Sequence, residues 1–123
     1  MSIKVDVADI ARTLRDFDLA YLISVDPQGR PKVIAVQLQV EGAALVSLHG
    51  SRGTAANLES NRSVTVLCPP REPSGMSLLI DGQASAEGER FRITPESAIL
   101  HRPAPPGSAP KPEGECRNDC EPL

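Results

Sequence analysis

The stretch Ser47–Leu67, "SLHGSRGTAANLESNRSVTVL", decides how the chain is read. An apolar segment runs into Gly-Ser-Arg-Gly-Thr, a short helical piece follows, and a second apolar segment starts at Ser63. A tight hairpin turn would join two strands with fewer residues. The longer loop brings three anion-binding devices together. Gly50 and Gly53 let backbone N–H groups turn inward with no side chain in the way. Ser51 and Thr54 offer hydroxyls, and Arg52 offers a fixed charge with planar donors. The pattern predicts a short helix over Ala55–Ser60 whose first N–H groups point at the same spot, ended by Asn61 in a left-handed conformation. The same residues also read as turn residues and an N-cap, as at most strand–helix junctions, and by pattern alone that plainer reading leads.

Outward from this stretch, the alternation of apolar and polar residues predicts strands. "KVIAVQLQVE", Lys32–Glu41, places Val36, Leu38 and Val40 on one side and Gln37 and Gln39 on the other. "EGA" turns it into Ala44–Leu48. Leu19–Asp26 is a near-continuous apolar run closed by Pro-Gln-Gly, as a strand buried on both faces would be. Before it, Val7, Ile10, Ala11, Leu14 and Phe17 form the stripe of an amphipathic helix over Val5–Phe17, with Asp6 as its cap and Asp9 near its positive end. Beyond the central stretch, Ser63–Cys68 is a strand stopped by "PPREPSG". The segment from Met76 to Leu100 then reads as two long strands joined at "EGE", with Gly82 as a bulge or close-approach point. These add up to a mainly β fold with short helices: a six-stranded antiparallel barrel or sandwich. The folded domain spans 1–102. Residues 103–123, rich in Pro, Gly and charge, read as an extended or disordered tail that packs at most locally on the barrel.

Composition narrows the function classes. With no Trp, one Tyr and two Phe in 123 residues, the core must close by aliphatic packing, and so thin a core makes a homodimer an attractive expectation. A net charge of −3 argues against a nucleic-acid partner. No apolar run approaches the roughly eighteen residues that span a membrane. "MSIKVDVAD" has no secretory pattern, and three Cys without an export signal point to a cytoplasmic protein with reduced thiols.

The order of these segments resembles the pyridoxamine 5′-phosphate oxidase-like, FMN-binding split-barrel family. There a strand–loop–helix–strand unit reads Ser/Thr-x-Lys-x-x-Asn-Leu, followed by an Asn/Asp-Pro-Arg-Val turn. The corresponding run here is Arg52, Gly53, Thr54, Ala55, Ala56, Asn57 and Leu58, then Asn61, Arg62, Ser63 and Val64. "SLLIDGQASA" is similar to the family's apolar strand ending in Gly-x-Ala, and the likeness covers about Leu19 to Ala86. It implies a six-stranded split barrel, a homodimer, and FMN at the subunit interface, with phosphate in the Ser51–Thr54 loop and the ring edge along Val36–Gln39. The chain also departs from the pattern. The motif's Lys is replaced by Thr54 or Gly53, depending on alignment, and Arg52 offers a charge from beside it. The Arg-rich C-terminal segment of the pyridoxamine oxidases is reduced to Arg102 and Arg117, so their reaction is not expected here.

The resemblance implies a cofactor-binding set of Val36, Gln37, Gln39, Ser47, His49, Ser51, Arg52, Gly53, Thr54 and Asn57. The Gln37 and Gln39 amides either meet flavin carbonyl and ring nitrogen atoms or form a solvated strand face. His49 either contacts the cofactor or is polar surface. The expected cofactor is FMN, then a deazaflavin, acting on a small-molecule substrate, and the flavin itself accepts the hydride. Two alternatives stand beside this. One is a non-catalytic barrel that stores or senses a flavin or haem, with His49 or His101 as axial ligand. The other is a structural dimer without ligand. Cys116 and Cys120 form "CRNDC", able to pair with each other or to join His101 on a metal, while Cys68 reads as an inert packed thiol.

Overall fold

The computed structural model describes residues 1–104. The Cys116–Cys120 pair and Arg117 lie outside the described residues. Among the described residues, eight strands form one antiparallel sheet: β1 (Ser2–Val5), β2 (Ala20–Val25), β3 (Pro31–Val36), β4 (Leu38–Glu41), β5 (Ala44–Ser47), β6 (Ser63–Cys68), β7 (Ser77–Glu87) and β8 (Arg90–His101). Two short α-helices, α1 (Ile10–Thr13) and α2 (Arg52–Ser60), complete the fold with two 3-10 turns that flank α1.

The hydrogen-bonded order is β3-β2-β6-β7-β8-β5-β4, with β1 added on β8. Its two end strands, β3 and β4, are consecutive in the chain, and only Gln37 separates them. A flat sheet of seven strands would hold its ends far apart, since neighbouring strands lie about 4.8 Å apart. The sheet therefore curls until both edges meet at Gln37, whose carbonyl accepts from the Leu48 N–H at 3.0 Å. This is a barrel split between β3 and β4, with Leu22, Val66, Leu78, Ile80, Phe91 and Ile93 filling its interior. Each such side chain, fully buried, stabilises the fold by about 1.5–3 kcal/mol.

The count of six strands is corrected to eight, for two reasons. The run Lys32–Glu41 is two strands, because the chain breaks at Gln37 to pass from one edge of the sheet to the other. Ser2–Val5 is a strand on β8, from Ser2↔His101 to Val5↔Ala98. The helix expected over Val5–Phe17 therefore starts later and is broken into short turns, α1 spanning only Ile10–Thr13. Val5 belongs to the sheet, and Asp6 makes no side-chain capping bond. Ile10 nonetheless anchors this segment in the core, with Leu14 and Phe17 packed against it.

β8 is matched by β7 along its length, and by β5 and then β1 on its other side. Pro95 falls in the gap between those two partners, where no neighbour requires the N–H it lacks. Opposite it the register slips: Asp81 faces Ser97 and Gly82 faces Pro95, leaving Glu96 bulged. The expectation at Gly82 is borne out, since a Cβ there would strike the Thr94 carbonyl oxygen and lie 3.1 Å from Pro95 Cα. Cys68 is also as expected, fully buried, with its thiol pKa pushed up to about 11 by burial. Because the clash at Gly82 is with backbone, Gly82→Ala is expected to destabilise the fold by about 1–3 kcal/mol, measured by urea denaturation. Unchanged stability would show that the bulge relaxes freely.

Candidate cofactor-binding site

Helix α2 begins three residues earlier than the pattern indicated. Ser51 is its N-cap, extended at φ −135° and ψ 151°, and its Oγ accepts from the Thr54 N–H at 3.1 Å. The same hydroxyl donates to Thr54 Oγ1 at 2.8 Å. Thr54, Asn57 and Leu58 follow the i, i+3, i+4 spacing of an inward helix face, and all three are buried. Asn57 Nδ2 donates to Ser24 Oγ at 3.0 Å, tying the helix to β2. Thr54 and Asn57 thus hold the helix against the barrel and face away from the open end. Asn61 is extended, φ −151°, and not left-handed; its carboxamide oxygen accepts from the Ser63 N–H instead.

Capping satisfies Thr54, and the Ala55 N–H bonds the Ser51 carbonyl. Among the described residues, no acceptor meets the N–H groups of Arg52 and Gly53, which open at the positive end of the helix. Two glycines beside them let neighbouring groups approach closely. A Cβ on Gly50 would lie 2.7 Å from the Glu89 carbonyl oxygen and 3.0 Å from the Phe91 ring. A Cβ on Gly53 would run into the Lys32 side chain, 2.9 Å from Cε and nearer still to Nζ. Lys32, on β3, was not among the residues singled out from sequence. A glycine inside the helix hints that something packs on it, but only the curl of the sheet identifies what.

Two clefts border this end of the barrel. One, of about 440 Å³, is lined by Leu48, His49, Gly50, Ser51, Arg52 and Ala55 on one wall and by Gly88 and Glu89 of the β7–β8 turn with Phe91 of β8 on the other. The second, of about 560 Å³, is lined by Val36, Gln37, Leu38 and Val40 together with Ala11, Leu14, Phe17 and Leu19. Gln37 of the second cleft accepts a backbone hydrogen bond from Leu48 of the first. Of the sequence-derived set, His49, Ser51 and Arg52 line the first cleft, and Val36 and Gln37 the second. Gln39 is exposed on β4 and lines neither. Ser47 is buried, its hydroxyl donating to the His49 carbonyl, so it shapes the loop from below.

The turn that walls the first cleft is fixed by charge. Glu41 meets Arg90 at 2.5 Å and Arg92 at 3.4 Å, and Arg92 Nε donates to Glu87 at 2.8 Å. That hydrogen bond from Arg92 holds the Glu87 carboxyl below its usual range. Among the described residues, no group of three or more His, Cys, Asp or Glu could hold a metal ion. No described helix is long and apolar enough to cross a membrane.

No family model matches the chain. It is 37% identical to an uncharacterised protein of Mycobacterium bovis and to one of Mycobacterium tuberculosis, over alignments covering 95% of this chain and 93% of theirs. It belongs to the family of these mycobacterial proteins. Among solved structures, an FAD-binding protein of Mesorhizobium loti superposes with a TM-score of 0.64 at 14% identity, over 81% of this chain and 96% of that one. A candidate pyridoxamine 5′-phosphate oxidase of Listeria innocua gives 0.62 at 20%, over 76% and 96%. The fold is that of the pyridoxamine 5′-phosphate oxidase-like split barrels. HutZ, a haem storage protein of Vibrio cholerae, shares the split-barrel fold with a TM-score of 0.57 at 19% identity, over 75% and 91%. At such identities the likeness is one of fold.

In this split barrel the Ser51 cap anchors the loop on which the first cleft is built. Ser51→Ala is expected to lower stability by about 1 kcal/mol, read from the denaturation midpoint, because Thr54 loses its capping partner. An unshifted midpoint would mean that water replaces the cap at no cost.

Proposed function

We propose that this chain binds a phosphate-bearing tricyclic redox cofactor, FMN before a deazaflavin, and acts as a cytoplasmic homodimeric oxidoreductase on a small molecule. One observation carries the reading. The Arg52 and Gly53 N–H groups open at the start of α2, with Arg52 beside them and the Lys32 side chain packed on Gly53. Such an arrangement fits an anion, because the donors, the helix dipole and a fixed charge act at one point. Val36 and Gln37 would lie along the ring, where the Gln37 amide can both donate and accept. When bound, the cofactor itself supplies the hydride chemistry, so the protein's part is to bind, orient and exclude water.

A second copy has a surface to use. Ala35, Tyr21, Leu67, Leu79 and Ile99 are register partners across β3, β2, β6, β7 and β8, and they alternate with core residues, so they form one apolar row on the outer face. Beside it Val33 is 55% exposed. An apolar row of this length on an outer face supports association.

Purified protein is expected to take up FMN at about micromolar concentration, quenching its fluorescence. Colourless protein that leaves FMN fluorescence unchanged would overturn the flavin reading. His49 beside Phe91 in the first cleft supports a haem-binding reading instead, and a Soret band lost in His49→Ala would decide for it. For the dimer, Leu79→Asp is expected to shift the sedimentation coefficient from dimer to monomer, since a charge enters the middle of the apolar row. A monomeric wild type would exclude the interface.

A further inference from the structure

We propose that the segment 7–18 is a hinged lid on the second cleft, and that Arg71 is the latch that holds it shut. The inference concerns the ligand-free chain and stands apart from the cofactor reading above.

Between Val5, the last residue of β1, and Ala20, the first of β2, the chain has no strand partner. Its one α-helix there spans four residues, too few to stand without tertiary support. The segment's own hydrogen bonds are local. The Asp9 N–H donates to the Asp6 carbonyl, Thr13 Oγ1 to the Asp9 carbonyl, and the Phe17 N–H to the Leu14 carbonyl. Arg12 pairs with Asp9, one turn back. Among the described residues, every hydrogen bond from 7–18 to the rest of the chain is made by Arg71. Its Nε and Nη2 each lie 3.0 Å from a different Asp18 carboxylate oxygen, and Nη2 also donates to the Arg15 carbonyl at 3.0 Å. This forked, charge-assisted contact ties down the far end of the segment. Ile10, 2% exposed, anchors the near end by apolar burial.

The latch stands on a stiff post. Arg71 follows Pro69 and Pro70, whose rings restrict the backbone. Its loop is folded tightly on itself: the Gly75 N–H donates to the Glu72 carbonyl at 2.9 Å, and a Cβ on Gly75 would lie 2.8 Å from Pro70 Cβ. The lid, by contrast, has a cleft on each side. The second cleft separates Ala11, Leu14 and Phe17 of the lid from Val36, Leu38 and Val40. A further cleft, of about 430 Å³, separates Val7, Ala8 and Ile10 from the β4–β5 turn. Ala11 and Val40 line both. Protein interiors are close-packed, so an element with room on two sides gives way before its neighbours. Swinging about Ile10 admits an apolar ligand to the second cleft, and closing shuts water out of it. Cys68, directly before the Arg71 loop, lines that same cleft and is fully buried, so its thiol reports whether the lid is open.

Labelling by N-ethylmaleimide, followed by mass, tests this in a Cys116→Ser/Cys120→Ser background where Cys68 is the one thiol left. The reagent is neutral, so the loss of a charge does not alter its approach. Arg71→Ala is expected to speed labelling about fivefold, the effect of losing an exposed pair of good geometry. Sodium chloride at about 1 M is expected to speed the background protein and to leave Arg71→Ala unchanged, because salt screens an exposed pair. Arg12→Gln, which breaks a pair inside the lid, is expected to stay within about twofold of the background. Hydrogen exchange in Arg71→Ala is expected to rise over 7–18 and to hold in β6 and β7. Labelling that Arg71→Ala leaves unchanged overturns the inference. Exchange that rises equally in β6 and β7 also overturns it, by showing general destabilisation in place of a moving lid. Either failure leaves the cofactor reading standing, since FMN takes no part in these measurements.

Discussion

The constraint on which everything else depends is the single residue between β3 and β4. Those strands end the two opposite edges of the sheet, yet Gln37 alone joins them. The chain cannot satisfy both pairings unless the sheet curls through nearly a full turn. Curling brings β3 over the start of α2, sets Lys32 against Gly53, and draws the loop after β5 beside the β7–β8 turn. Both clefts follow from that closure, and the Gln37–Leu48 hydrogen bond ties a residue of one to a residue of the other.

The local devices serve the same end. The bulge at Gly82 and Pro95 let one long strand, β8, serve β5 with one half and β1 with the other. Ser51 stops the loop and starts the helix, while Thr54 and Asn57 pin that helix to the barrel. Buried polar groups of this kind are hydrogen-bonded to one another, which makes their placement specific as well as tolerable in a dry interior. The open end is the opposite case. There the Arg52 and Gly53 donors lack partners among the described residues, at the positive end of α2.

Much of the fold was legible because it rests on short-range pattern. β2, β5 and β6 fall within a residue of where alternation and turn residues place them, and Gly82 reads correctly as a point of close approach. β1 was not legible. Its four residues have no alternation of their own and become a strand only because β8 is there to pair with them. The start of α2 was misplaced for a related reason. Gly53 and Thr54 have poor helix propensity, and what makes them helical is the Ser51 cap in front and the burial of Thr54, Asn57 and Leu58.

By itself the sequence determined the mainly β character of the fold, the places of most strands, and the presence of a glycine-lined loop before a helix, because these depend on period, turn chemistry and side-chain size over a few neighbouring positions. Only the tertiary structure decided which way that loop faces. It turned Ser47, Thr54 and Asn57 inward, left His49, Ser51 and Arg52 on the cleft, and brought in Lys32 from nearly twenty residues away. The reason is geometric: which side chains converge depends on how far the sheet curls, and curl comes from pairings between distant strands.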